Sequence, residues 1–182
     1  IANLNHTGKG DFTSDILDYK SSTDIEKASA SKGLVTSLKN AKINFESILN
    51  IDQKNKKYSF KDNKLSLNEL GLLFNGFVQI PDANKTEMEI NFKADKTTFK
   101  SLLSLIPAIY SKDFDDIKTS GNLQLDGMAK GTMQGESYPA FALNIKVDNG
   151  KFQYPKLPTA VSDIFIDAHV KNNGGSLDNT TI

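Results

Sequence analysis

The sequence predicts a mainly β fold: one long, curved antiparallel sheet, either an open groove or a partly closed, barrel-like sheet, with one amphipathic helix near residues 97–110. Three observations support this fold class. Apolar residues take alternate positions over several segments, most clearly between Phe141 and Val147, which is typical of strands with one dry and one wet face. Clusters of Asn, Asp and Gly separate these segments. Only one stretch follows the helical spacing i, i+3, i+4, i+7.

The N-terminal segments predict three strands, and the alternation of apolar and polar residues is stronger in some of them than in others. Strands are expected over residues 2–14, 15–30 and 42–52. The alternation over 15–30 is weak, so a helix around 23–31 is the alternative there. Residues 33–40 are expected to form a connection or a short strand.

Gly8-Lys9-Gly10 lies inside the first predicted strand. A phosphate-binding loop would need more glycines and a following helix. We therefore expect a bulge or a bend at this point, because both tolerate glycine within a strand.

The middle of the chain predicts two strands separated by a turn at Asp62-Asn63. The first covers residues 57–61. The second covers 65–80, and from Leu70 onward its even positions keep one face apolar through Ile80. Because Leu73 and Phe77 make the opposite face partly apolar as well, we expect this strand to be covered on both sides, with the helix as the candidate cover.

A half-buried strand that ends near Ala94 precedes the helix. Thr97 or Asp95 is the expected N-cap of the helix. Pro107 is expected to end or kink it, since proline lacks an N–H and crowds the preceding turn. The apolar residues at helical spacing are Phe99, Leu102, Leu103, Ile106 and Ile109.

The C-terminal third contains a strong turn signal, Asp148-Asn149-Gly150, because Asn and Gly accept positive φ at little cost. We therefore expect a hairpin between the strand that ends at Val147 and a short strand over 151–154. A last full strand is expected over 164–170. The residues after Gly175 are expected to begin an edge strand.

Composition bounds the possible partners. The chain has 182 residues, a net charge of zero and no Arg, the residue that best reads phosphate and guanine, so no nucleic-acid partner is expected. There is no Cys, which removes disulfides, zinc–thiolate sites and thiol nucleophiles.

No catalytic site, metal site or cofactor is predicted. His6 has no Cys, Asp or Glu at metal-ligand spacing. His169 lies between Ala168 and Val170, which are expected to face inward, so His169 is expected to face solvent. A glycan hydrolase would need paired carboxylates at catalytic separation. The sequence offers no such pair, and we expect a protein that is not an enzyme.

Apolar surface is the remaining feature. One helix is a small lid for a sheet of about ten strands, which should close, split or leave apolar surface open. A closed core and an open lipid-binding groove are both compatible with this pattern. The residues that would line the groove are Leu70, Leu72, Phe74, Met88, Ile90, Phe92, Leu123, Leu125, Phe141, Leu143, Ile145 and Val147.

A series of turn and strand-end motifs lies between residues 57 and 158. They are Lys57-Tyr58-x-Phe60-x-Asp62-Asn63, Leu67-Asn68-x-Leu70-x-Leu72, Leu105-Ile106-Pro107-Ala108-Ile109-Tyr110, Asp113-Phe114, Lys118-Thr119-Ser120-Gly121, Leu125-x-Gly127-x-x-Lys130-Gly131, Tyr138-Pro139-Ala140-Phe141 and Asn149-Gly150-x-Phe152-x-Tyr154-Pro155-x-Leu157-Pro158. Together they resemble the AsmA-like family of Gram-negative bacteria. The resemblance covers most of residues 40–182, and its motifs carry no catalytic groups.

The resemblance implies a cell-envelope protein. AsmA-like proteins are related to TamB and to the repeating β-groove lipid-transfer proteins, are anchored in the inner membrane and extend into the periplasm. Because both ends look cut, residues 1–182 would be a single segment of a larger β-rich periplasmic protein, with the membrane anchor outside it. The implied function is outer-membrane assembly or phospholipid transport through an apolar β-groove, with phospholipid acyl chains and other envelope proteins as partners. The alternative is a closed-core structural or protein-interaction domain without a lipid ligand.

Overall fold

A computed structural model describes residues 1–32, 35–95, 98–106, 114–155 and 157–182. Nine strands form one antiparallel sheet whose strand order is the order of the chain, so β1 and β9 lie at opposite edges and the sheet is open. The strands are β1 (Ala2–Gly10), β2 (Ile16–Lys32), β3 (Val35–Asp52), β4 (Lys57–Leu67), β5 (Leu70–Asp82), β6 (Lys85–Ala94), β7 (Lys118–Met133), β8 (Ala140–Gln153) and β9 (Val161–Asn172). The predicted mainly β fold with a long antiparallel sheet is confirmed.

The register of the strands gives the sheet two chemically different faces. Directly opposite residues of neighbouring strands lie on the same side of a sheet. Phe74 pairs with Phe92, and Leu125 pairs with Ile145. We call the side that carries these residues the apolar face and the opposite side the polar face.

The turn predicted at Asp62-Asn63 is wrong. β4 runs without a break from Lys57 to Leu67, and the hairpin turn to β5 lies instead at Asn68 and Glu69. Asp62 has φ 53°, and the register of β4 against β5 shifts at this point. The Asp62 N–H donates to Asn75 Oδ1 at 2.7 Å, so the positive φ belongs to a bulge whose freed N–H is satisfied by a side chain.

The hairpin predicted at Asp148-Asn149-Gly150 is also wrong, because β8 continues through it to Gln153. Asn149 has φ 54°, and the register of β8 against β9 shifts between Val147 and Gly150. Residues that accept positive φ suit a bulge as well as a turn, and here they form the bulge.

The N-terminal strands also differ from expectation. The first strand ends at Gly10 rather than at residue 14, and its pairing with β2 shows no register shift at Gly8 or Gly10, so no bulge forms there. A Cβ atom on Gly8 would lie 1.8 Å from the Tyr19 hydroxyl oxygen, which means that Gly8 leaves room for the Tyr19 side chain. β2 is a strand throughout, and the helix considered around 23–31 does not form.

The helix, α1 (Phe99–Leu103), is shorter than predicted. Thr98, not Thr97 or Asp95, is its N-cap, and the Thr98 side chain accepts from the Ser101 N–H. The Ile106 N–H donates to the Leu103 carbonyl at 3.1 Å, so the chain leaves the helix through a tightened turn. Proline disfavours helical backbone in the residue before it, and Ile106 precedes Pro107. Residues 107–110, the end of the predicted helix, lie outside the described residues.

The helix covers one end of the apolar face. Phe99 and Leu103 of α1 join Leu123 and Val147 of the sheet in the buried core cluster. The helix therefore does not cover the opposite side of β5, and the prediction that it does so is wrong. There, Phe77 is half-buried on the polar face, with Lys57 Nζ 4.2 Å from its ring centroid.

The C-terminal residues do not begin a full edge strand. Leu177–Asn179 form a 3₁₀ turn, and Thr181 then bridges back to β9. The Thr181 N–H donates to the Lys171 carbonyl at 2.8 Å, and the Lys171 N–H donates to the Thr181 carbonyl at 2.9 Å. The bridge occupies part of the β9 edge.

We predict that Gly121→Ala destabilises the sheet far more than Gly135→Ala. Both glycines have positive φ, but a Cβ on Gly121 would lie 2.7 Å from the Gly150 Cα, whereas Gly135 has no neighbour within 4 Å. The control then loses about 1 kcal/mol from backbone strain alone, and Gly121→Ala loses about 3 kcal/mol of unfolding free energy in urea titration. Equal losses would show that β7 and β8 are not this close at the β8 bulge.

Candidate functional site

The twelve predicted groove residues all lie on the apolar face. The register connects them through shared neighbours across β5–β8: Phe92 and Leu143 both pair with Gly127, and Ile90 and Phe141 both pair with Ala129. Leu123 pairs with Val147 further along the same strands. The structure therefore brings the whole predicted set together on one surface.

The set divides into a covered and an uncovered part. Leu70, Leu123, Leu125 and Val147 are between 0% and 7% exposed, because they pack under α1 and the segment around Phe114 and Ile117. The other eight residues are half-buried, and four of them, Leu72, Phe92, Leu143 and Ile145, pack against the edge of the core cluster. We call these eight the open part of the apolar face: Leu72, Phe74, Met88, Ile90, Phe92, Phe141, Leu143 and Ile145.

The apolar surface extends beyond the predicted set. Phe45 of β3 pairs with Leu65 of β4, and Leu65 pairs with Leu72 of β5. The Phe45 and Phe60 rings both contact Phe74, and their centroids lie 5.6 Å and 5.2 Å, respectively, from the centroid of the Phe74 ring. Phe45 and Phe60 occupy alternate apolar positions in β3 and β4, and this pattern could have identified them as part of the apolar face. The turn wrongly predicted at Asp62 divided β4 into two short strands and hid the pattern.

Glycines let aromatic rings lie close to the sheet backbone. A Cβ atom on Gly127 would lie 2.3 Å from Phe92 Cζ, so the Phe92 ring occupies the space that a side chain on β7 would take. A Cβ on Gly76, which has φ 138°, would lie 1.8 Å from the Glu89 carbonyl oxygen. Larger residues at these two positions would disturb the open part.

The polar face carries charged and amide side chains in cross-strand pairs. Lys130 Nζ lies 3.1 Å from Glu89 Oε2, and Asn144 Nδ2 donates to Asp126 Oδ2 at 2.8 Å. His169 faces solvent on this side, as predicted, with Nε2 2.9 Å from Asp167 Oδ1. Such exposed pairs contribute little to stability, and they keep this face in water.

Three side chains at exposed hairpin ends have shifted pKa values. A hydrogen bond from the Thr13 hydroxyl, with a second from its N–H, lowers the pKa of Asp11. A hydrogen bond from the Asn55 N–H, with a second from its side chain, lowers the pKa of Asp52. Glu87 raises the pKa of Lys85 by hydrogen bonding and by its charge. These three side chains stabilise hairpin ends and lie away from the open part of the apolar face.

The described part of the chain offers neither a metal-binding cluster nor a membrane-spanning helix. No group of three or more His, Asp or Glu side chains there could hold a metal ion. No described helix combines the length and the apolar character needed to cross a membrane.

Comparison with known proteins identifies no relative: no family model matches the chain, and neither a curated protein nor a solved structure matches it.

We predict that Leu123→Ala costs more stability than Leu65→Ala. Leu123 is fully buried under α1, whereas Leu65 lies half-buried on the same face outside the core cluster. Truncation of a buried leucine costs about 2–5 kcal/mol, and the loss at Leu65 should be less than half of that at Leu123. Chemical denaturation of both variants checks the difference. Equal losses would mean that the apolar face at β4 is as well covered as the part under the helix.

Proposed function

We propose that this chain is a non-enzymatic cell-envelope segment of AsmA-like type, which binds phospholipid acyl chains on the open part of its apolar face. The observation that carries the proposal is the incomplete burial of eight large apolar side chains on one continuous surface. A contiguous apolar patch of this kind marks a binding surface rather than an ordinary exterior.

The dimensions of the face suit an acyl chain. Strands lie about 4.8 Å apart, so β5–β8 extend over about 14 Å and β2–β9 over about 34 Å. The hydrocarbon core of a bilayer is about 30 Å thick, and one leaflet's chains therefore reach about 15 Å. One chain laid across the strands matches the width of β5–β8.

The energetics favour a ligand with two chains. Burial of ten methylenes contributes roughly 8 kcal/mol. Association itself costs on the order of 4–15 kcal/mol, so a single chain binds weakly. A second chain adds burial without a second association cost, which favours a diacyl lipid over a free fatty acid.

The envelope setting rests on the resemblance described above. On that basis we propose a periplasmic location, a parent protein anchored in the inner membrane of a Gram-negative bacterium, and a role in outer-membrane assembly or phospholipid transport. The two chemically different faces support this role, since one side can carry hydrocarbon while the other stays in water.

A protein-interaction domain without a lipid ligand is the second candidate. β1 favours it, because most of its residues are exposed and its outer edge pairs with no other described strand. An extended segment of an envelope protein could add to this edge by backbone hydrogen bonds. Such a partner would occupy the edge, whereas a lipid would occupy the open part of the face.

We predict that a photo-crosslinking amino acid captures phospholipid at Leu143 but not at Lys146. The two positions lie on the same strand and are three residues apart, so they lie on opposite faces. After irradiation with vesicles of phosphatidylethanolamine, mass spectrometry should show at least about tenfold more lipid adduct at position 143.

Equal labelling at the two positions would contradict the lipid proposal. The matched position on β8 controls for lipid that merely contacts the exterior. Preserved strand content in circular dichroism excludes unfolding of either labelled protein as the cause.

A further inference from the structure

Polar side chains interrupt the apolar face at its β1–β4 end. Gly8, Ser21 and Ser47 pair across β1–β3, and Asn63 of β4 pairs with Phe74 of β5, which pairs with Phe92 of β6. This end of the face therefore combines hydrogen-bonding groups with apolar neighbours such as Phe45 and Leu49, whereas the β5–β8 end carries hydrocarbon side chains. We call the six polar residues the polar patch: His6, Tyr19, Ser21, Thr23, Ser47 and Asn63.

The His6 cluster has a hydrogen-bond donor to spare. His6 Nδ1 lies 2.8 Å from Thr23 Oγ1, and His6 Nε2 lies 3.0 Å from Tyr19 Oη. A neutral imidazole donates through one nitrogen and accepts through the other. One of the two hydroxyls therefore donates to His6, while the other accepts a hydrogen bond from the His6 N–H and keeps its own O–H free. The result is the same for either tautomer.

The rest of the polar patch also has unused donors. The Ser21 and Ser47 hydroxyl oxygens lie 2.7 Å apart, so one O–H is used between them and the other stays free. Asn63 is 1% exposed, its Oδ1 accepts from the Ile48 N–H at 2.9 Å, and its Nδ2 has no partner. A cavity of about 370 Å³ is lined by Ser21, Ser47 and Asn63 together with Ser22, Glu46, Ile48, Asp62 and Lys64.

Each of these groups has an unused N–H or O–H donor, and none of the six side chains carries a fixed charge. A buried amide without a partner costs free energy that an incoming acceptor recovers. The matching ligand group is rich in acceptor oxygens, and a phosphodiester has several. A phosphate also forms stronger hydrogen bonds than a neutral acceptor because it is charged.

We propose that the polar patch binds the phosphate-bearing head of a phospholipid whose acyl chains lie on the open part of the apolar face. This inference rests on the proposed function and adds an orientation to it. The head lies over β1–β4 and the chains extend over β5–β8, along the direction in which the strands follow one another.

Two photoreactive phosphatidylethanolamines test the orientation, one with a diazirine on the head and one with a diazirine at the end of an acyl chain. With the intact chain, the head probe should label peptides from residues 1–32 and 35–52, and the chain probe should label peptides from 70–94 and 140–153. Labelling of one common region by both probes, or a reversed pattern, would overturn the orientation while leaving lipid binding in place. No labelling by either probe would overturn the proposed function as well.

A binding comparison tests the head contact itself. Tyr19→Phe combined with Thr23→Val removes both hydroxyls that bond to His6, and Thr132→Val on the polar face of β7 is the matched control. The double variant should lose about tenfold in affinity for phosphatidylethanolamine. Its affinity for diacylglycerol with the same chains should stay within about twofold, since that lipid lacks the phosphate.

Three results would overturn the head contact. The first is an equal loss for both lipids, which would indicate damage to the apolar surface. The second is an unchanged affinity for phosphatidylethanolamine. The third is competition by inorganic phosphate as effective as that by the lipid, which would make the patch an anion site independent of hydrocarbon.

Discussion

The register of nine antiparallel strands is the constraint on which the candidate site depends. Side chains alternate strictly along a strand, so a shift by one residue would move every apolar side chain of that strand to the other face. In the observed register, the aromatic and aliphatic residues of β5–β8 share one face, and at the β6–β7 boundary the residues opposite them are Gly127, Ala129 and Gly131. The two-faced character of the sheet follows from that agreement between pattern and pairing.

Bulges preserve this agreement over long strands. β4 and β8 each contain a residue with positive φ, Asp62 and Asn149, at a point where the register shifts. Beyond each bulge the apolar residues still point to the apolar face, as Leu65 shows by its pairing with Leu72 and Phe152 by its packing against the core cluster. Bulges also increase local twist, which lets a long sheet bend.

The short helix decides how much of the face stays accessible. α1 contains five residues, and with Phe114 and Ile117 it buries only the end of the face around Leu123. A longer helix would have covered more of β5–β8. Because Thr98 starts the helix and the turn before Pro107 ends it, local backbone chemistry limits the cover.

Sequence reasoning predicted the fold class and the apolar set from alternation alone, because the pattern at positions such as Phe141 and Leu143 depends only on the two-residue period of a strand. It failed where one residue type serves two structures. Asn149 and Gly150 suit a hairpin turn or a bulge equally, and only the pairing with β9 decides between them.

The role of Gly8 was likewise invisible to sequence reasoning. Its explanation is the Tyr19 side chain on the neighbouring strand, which no local pattern reveals. The polar patch went unnoticed for the same reason, since His6, Ser21 and Ser47 become neighbours only through pairing.

Native mass spectrometry of the chain, produced in a Gram-negative host and purified without detergent, tests the central claim most directly. The account predicts a fraction of protein carrying the added mass of a diacyl phospholipid. This adduct should disappear after delipidation, return on incubation with phosphatidylethanolamine vesicles, and decrease when Ile90 on the open part is replaced by Asp. A folded protein that shows only its bare mass before and after incubation with vesicles would contradict the account.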